Sequence, residues 1–167
     1  MSLTVLLGGA RSGKSALAQR WAGEVATLIA TATALDDEMR ERIARHRADR
    51  PASWITVEEP INLREALADA RGTVVVDCLS LWVANLFEAG WTDEAVEAEG
   101  AAAAAAAAAR QEQTFAVSNE VGLGIVPATP LGRRYRDVLG RVNASWADAA
   151  ERAVLVVAGR VLELDRA

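Results

Sequence analysis

The stretch "LTVLLGGARSGKSALAQRWA" constrains this chain more than any other. An apolar run, Leu3 to Leu7, leads into Gly8, four further residues and then Gly13-Lys14-Ser15, after which the sequence becomes helix-prone. This is the phosphate-binding pattern in the context it needs, after a strand and before a helix. Small residues at Gly8, Gly9, Ala10, Ser12 and Gly13, with Arg11 among them, let the backbone curl so that successive N–H groups face an anion. The positive end of a helix starting near Lys14 adds to the field. Lys14, expected to be exposed in an empty site, then reaches the β and γ phosphates, and Ser15 ligates Mg²⁺. A glycine-rich turn that binds nothing is the bland alternative, and the agreement of motif, strand and helix weighs against it.

Farther along, short apolar runs alternate with helical stretches, the pattern of an α/β fold with a mostly parallel sheet flanked by helices. Strands are expected at residues 3–7, Thr27 to Thr31, Trp54 to Val57, Thr73 to Asp77 and Thr114 to Ser118. "AVLVVAGRVLELD" reads as a C-terminal hairpin turning at Gly159-Arg160 and lying antiparallel to the rest. Its 167 residues, 51% apolar and 25% charged, suit one domain spanning residues 1–167. Nine consecutive alanines, Ala101 to Ala109, stand where a helix packed on the sheet should carry larger side chains, and they carry no functional reading.

Composition narrows the surroundings. A net charge of −5 gives no reason to expect nucleic acid as a partner. The lone Cys78 excludes an internal disulfide, and no leader pattern or membrane-length apolar run is seen. The expectation is a cytoplasmic protein with no membrane partner.

Asp77 ends the β-branched run of "TVVVDCLS", where its carboxylate would meet the Mg²⁺ held by Ser15 as a second protein ligand. The competing reading is a cap for a helix starting at Leu79. "LGRRYRD", residues 131–137, passes for the arginine-rich lid of a small-molecule kinase or for a solvated helix face. "NEVGLGIVP" reads as a tight loop, either structural or lining the site with Asn119 and Glu120. No Asn-Lys-x-Asp stretch of the switch GTPases occurs. His46 is the only histidine, surrounded by Arg42, Arg45, Arg47 and Arg50. Neighbouring guanidinium groups would keep its imidazole neutral and steady a phosphate delivered to it; a surface histidine on a charged helix is the other reading.

"GGARSGKS", "LDDEMRERIARHRADRP", "SWITVEEP", "VSNEVGLGIVP" and "RRYRDVLGRVNASWA" occur in this order, and together they resemble the bifunctional adenosylcobinamide kinase and adenosylcobinamide-phosphate guanylyltransferase family of cobalamin biosynthesis. The resemblance runs from Leu3 to about Val161, apart from the alanine tract and the stretch before it. It implies a phosphate-loop NTPase-like fold and two reactions. ATP or GTP phosphorylates the aminopropanol hydroxyl of adenosylcobinamide, and GMP is then transferred from GTP to the new phosphate through a histidine–GMP intermediate. By the same resemblance the nucleophile falls on His46, the triphosphate cradle on Gly8 to Ser15, further nucleotide contacts on Ala30, Thr31 and Ala32 and on Arg47, Ala48, Asp49 and Arg50. Glu58 and Asp77 also match nucleotide-site positions, and a homo-oligomer, usually a trimer, is implied. A carboxylate at Glu58 would accept hydrogen bonds from guanine N1 and N2, a donor pair adenine lacks. Two alternatives stay open on the residues alone: an ordinary small-molecule kinase with His46 idle, and a nucleotide-binding regulatory module without turnover.

Overall fold

The computed structural model describes residues 3–33 and 51–166. Its strands are β1 (Leu3–Gly8), β2 (Thr27–Ala30), β3 (Ile55–Glu58), β4 (Val74–Asp77), β5 (Thr114–Asn119), β6 (Arg152–Val157) and β7 (Arg160–Glu163). The helices among the described residues are α1 (Lys14–Ala22), α2 (Leu63–Asp69), α3 (Leu79–Glu88), α4 (Asp93–Ala109) and α5 (Pro130–Ala149). All five strands expected before the hairpin are present, with ends within a residue of those expected.

The strands form one sheet in the order β3-β2-β4-β5-β1-β6-β7. Central β1 and β5 are covered on both faces, so their sequences run apolar without the alternation of a half-exposed strand. Leu3, Val5, Leu7, Val74, Val76 and Ala116 pack toward α2, α3, α4 and α5. Leu6, Val75, Phe115 and Val117 pack on the other face, against Leu17 and Ala18 of α1 and against Trp54.

The hairpin expectation needs two corrections. β6 pairs with β1 in the parallel sense, and only β7 runs antiparallel. The reason is the connection: β6 follows the crossover helix α5, which returns the chain to the sheet's starting edge, whereas β7 follows a tight turn. That turn is Ala158-Gly159, because Arg160 already pairs with Val157. Both turn residues have positive φ, 49° and 72°, as a two-residue turn matching the strand twist requires.

The alanine tract is the second half of α4. Thr92 caps this helix, its Oγ1 accepting from Ala95 N at 3.2 Å, and Asp93 and Glu94 suit the positive end. Gly100, Ala103, Ala104 and Ala107 form its buried face. A Cβ at Gly100 would lie 3.0 Å from Val142, so the small face admits close approach of α5. Bulk comes from the other side, through Val138, Leu139, Val142 and Trp146.

Just past the tract, Arg110 closes the carboxyl end of α2. Its guanidinium donates to the carbonyls of Leu67 (2.5 Å), Ala70 (2.8 Å) and Gly72 (2.7 Å), and Nε donates to Thr114 Oγ1. The Arg110 side chain is 8% exposed, and it reaches carbonyls of the last turn of α2 and of the segment after it that have no helical partner. Arg110→Met, which keeps the stem and removes the donors, is expected to lower stability by about 2–3 kcal/mol. A urea midpoint unchanged from wild type would show that water replaces the cap.

Candidate nucleotide site

The strand register brings the sequence motifs to one edge. At the carboxyl ends of the strands, Glu58 of β3 stands beside Ala30 of β2, which stands beside Asp77 of β4. On the same edge, Gly8 is aligned with Asn119 of β5 and Val156 of β6. The crevice outside the carboxyl ends is where open parallel sheets bind ligands. A cavity of about 810 Å³, lined by Thr4, Trp21, Phe115 and Arg152 among others, opens at the opposite edge and plays no part in this arrangement.

The phosphate loop is built as its sequence requires. A Cβ on Gly8 would sit 2.5 Å from the Val156 carbonyl, so only glycine fits beside β6. Arg11 (φ 58°) and Gly13 (φ 96°) adopt left-handed conformations, the kind of turn that gathers backbone N–H groups into an anion nest. The Gly8 carbonyl accepts from Glu120 N at 3.0 Å, and Ser12 N–H donates to Gly9 O at 3.3 Å. Gly9, Ala10 and Arg11 are exposed, and Ser15 is half-buried in the first turn of α1. Lys14 differs from expectation. It is 7% exposed, and its Nζ donates to the Gly9 carbonyl at 2.9 Å, folded across the loop instead of reaching into solvent. The ammonium is thereby held against the loop's own backbone.

Asp77 is half-buried at the end of β4. The N-cap of α3 is Cys78, with no side-chain cap bond, so the capping role considered for Asp77 is not used. Burial raises the Cys78 thiol pKa, and the Asp77 charge raises it further, while Ser80 and Lys14 pull it down. The thiol thus stays protonated.

Thr31, fully buried, locks this corner. Its Oγ1 donates to Cys78 O at 2.7 Å and accepts from Cys78 N at 2.8 Å, and its N–H donates to Asp77 O. Ala30 and Ala32 flank it half-buried on the crevice side of β2. Asn85 donates to the carbonyls of Thr31 and Pro60. Below, Asn119 Nδ2 donates to Ser80 Oγ at 3.0 Å, Tyr135 O–H to the Ser80 carbonyl at 2.8 Å, and Asn143 to the Asn119 carbonyl at 3.0 Å. Burial raises the Tyr135 pKa, so this hydroxyl remains a donor. Ser80, Asn85, Tyr135 and Asn143 were invisible as site supports because each partner is distant in the chain.

The doublet in "TVEEP" splits. Glu59 Oε1 accepts from Ile61 N and Asn62 N, fixing the entry to α2, whereas Glu58 lies exposed at the end of edge strand β3. "LGRRYRD" lies at the start of α5, and its arginines are engaged. Arg133 holds the Pro127 and Ala128 carbonyls, Arg134 pairs with Asp93 and covers Phe87, and Arg136 pairs with Asp137. It is a partnered helix face, not a free lid. In the preceding loop, Glu120 Oε1 accepts from Gly122 N, while Leu123 and Ile125 are bare to solvent. His46 and Arg47, Ala48, Asp49 and Arg50 lie outside the described residues.

Among the described residues no three His, Cys, Asp or Glu side chains gather as a metal cage. Ser15 and Asp77, both half-buried, are a hydroxyl and a carboxylate, the donor types Mg²⁺ takes when phosphates and water complete its shell. No helix among the described residues is long and apolar enough to cross a membrane.

The chain matches, over residues 4–164, the family model described as cobinamide kinase / cobinamide phosphate guanyltransferase. It is 43% identical to the bifunctional adenosylcobalamin biosynthesis protein CobP of Pseudomonas aeruginosa, covering 96% of this chain and 95% of that protein. It is 38% identical to CobU of Escherichia coli and 37% identical to CobU of Salmonella typhimurium, both named bifunctional adenosylcobalamin biosynthesis proteins. In both cases 94% of this chain and 96% of the relative are covered.

Proposed function

Because the chain belongs to the cobinamide kinase / cobinamide phosphate guanyltransferase family, we propose that one nucleotide site at the carboxyl edge of its sheet serves both transfers. The observation that carries this reading is that the loop from Gly8 to Ser15 and Asp77 stand at the carboxyl edge of one parallel sheet, in a chain matched to the family over residues 4–164.

In the first transfer, the substrate hydroxyl of adenosylcobinamide attacks the γ phosphorus of ATP or GTP, and the nucleoside diphosphate leaves. The nest from Gly8 to Gly13 holds the phosphate oxygens, and Lys14 moves from the Gly9 carbonyl to the β and γ phosphates as charge develops there. Ser15 and Asp77 would hold Mg²⁺, which supplies further charge neutralisation. In the second transfer, His46 attacks the α phosphorus of GTP and pyrophosphate leaves. The cobinamide phosphate then displaces the imidazole, giving adenosylcobinamide-GDP and regenerating His46. Imidazole suits this role, being both nucleophile and leaving group. By the resemblance, Arg47, Ala48, Asp49 and Arg50 contact the nucleotide, as do Ala30, Thr31 and Ala32. Because Thr31 is fully buried with its hydroxyl, N–H and carbonyl committed to Cys78, Asp77 and Asn85, this segment offers a ligand the half-buried Ala30 and Ala32. We place this enzyme in the cytoplasm as a homo-oligomer, a trimer by resemblance.

The test is incubation of the intact protein with GTP labelled at the α phosphorus, followed by cobinamide phosphate. Label held on the protein and then chased onto the corrinoid supports the two-step transfer. Steady phosphorylation of cobinamide with no trapped label leaves an ordinary kinase.

Glu58, exposed where an incoming base would meet the edge strand, is read as the guanine-recognising carboxylate. Glu58→Gln is expected to raise KM for GTP about ten- to a hundredfold, as loss of a bidentate base contact costs about 1–3 kcal/mol. KM for ATP should stay near wild type. Equal losses for both nucleotides would assign Glu58 a structural role.

A further inference from the structure

Gly159, at the tip of the β6–β7 hairpin, belongs to no nucleotide motif, yet its N–H donates to the Ser12 carbonyl of the phosphate loop at 2.8 Å. The two chains are in close apposition there. A Cβ built on Gly13 would lie 3.6 Å from Gly159 Cα, and β6 itself crowds Gly8 through the Val156 carbonyl. The C-terminal hairpin therefore backs the loop at both of its glycine ends.

We propose that Gly159 is a positioning residue for the nucleotide site, aiming the Gly13 N–H at the bound phosphates. In a planar trans peptide, C=O and N–H point in opposite directions. Holding the Ser12 carbonyl against the hairpin turns the N–H of the same peptide unit, that of Gly13, away from the hairpin and into the nest. Gly13 has φ 96°, where a glycine rotates freely, so the peptide needs an outside restraint to stay pointed. The Ser12 side chain does not supply one, since its buried Oγ has no hydrogen-bond partner. The hairpin tip can supply it because its own geometry is set by the paired strands on either side. This inference rests on reading Gly8 to Ser15 as the triphosphate cradle.

Gly159 is suited to a test because a Cβ there meets no atom within 4 Å, so substitution acts chiefly through the backbone. At φ 72°, valine is strongly disfavoured and displaces the tip, proline also removes the donor, and asparagine tolerates the conformation and keeps the N–H. Each full-length variant is titrated with a fluorescent ribose-labelled GTP in the presence of Mg²⁺, with thermal unfolding to establish that it is folded. Gly159→Val and Gly159→Pro are expected to weaken binding about tenfold or more, the scale of one lost charge-assisted hydrogen bond. Competition by inorganic tripolyphosphate should weaken in parallel, since the base is not involved. Gly159→Asn should bind like wild type. Leu162→Ala, which trims an exposed β7 side chain and leaves the strand pairing in place, should keep affinity within about twofold.

If the proline variant does not fold, the valine variant carries the comparison. Wild-type affinity in the folded Val or Pro variants overturns the hairpin's part, as does an equal loss in Leu162→Ala. Wild-type protein that binds no GTP overturns the cradle reading itself and this proposal with it.

Discussion

Lys14→Ala is expected to abolish both phosphate transfers while the protein stays folded. Both reactions draw on a nucleoside triphosphate, and on the proposed reading both draw on the same loop. The ammonium now donating to the Gly9 carbonyl is the charge that meets the β and γ phosphates when the nucleotide arrives. Removing one preorganised donor from a developing phosphate charge costs about 10²- to 10³-fold in rate. Weaker nucleotide binding adds to this, so each activity should fall below detection in ordinary assays. Fold is spared for a local reason: alanine is a good residue for the first turn of α1, and exposed Gly9 leaves its carbonyl accessible to water. Thermal unfolding beside separate assays of kinase and guanylyl transfer checks the prediction. Loss of one activity alone would mean that the two reactions use different nucleotide sites.

His46→Asn is expected to do the opposite, separating the two activities. Phosphoryl transfer to a hydroxyl depends on positioning and on charge from the loop, and uses no protein nucleophile, so the kinase rate should remain within a few-fold of wild type. Guanylyl transfer through a covalent intermediate has no substitute for the imidazole, because the chain contains no second histidine. The trapped GMP should vanish, and with it the GDP-linked product. In wild-type protein the bond should be a phosphoramidate, labile in acid and stable in base, which distinguishes it from a serine ester. Acid-labile label persisting in the Asn variant, or parallel loss of both activities, would remove His46 from the role of dedicated nucleophile.

Features governed by neighbours in the chain were legible in the sequence. The turn from β1 through Gly8 and Gly13 into α1 is a local problem of backbone conformation, and so its residues announce it. Strands buried on both faces, such as Val74 to Asp77, announce themselves as unbroken β-branched runs for the same reason. The family was also readable, because its motifs are long and keep their order.

What depends on residues far apart was decided by the tertiary structure. The direction of β6 follows from the crossover made by α5, not from the hairpin sequence, which reads identically either way. The alanines of α4 look wrong for a core until Val142 and Trp146 of α5 are seen to fill the space. The arginines of "LGRRYRD" look free until Asp93 and the Pro127 and Ala128 carbonyls are brought to them. Lys14 was expected in solvent, but its position depends on a carbonyl that only the curled loop presents. Sequence alone pointed to the residues proposed to carry the phosphate chemistry, because a phosphate nest is made by consecutive backbone groups. Tertiary structure decided what holds them in place, because hydrogen bonds such as Gly159 to Ser12 and Asn119 to Ser80 join segments that meet only when the sheet assembles.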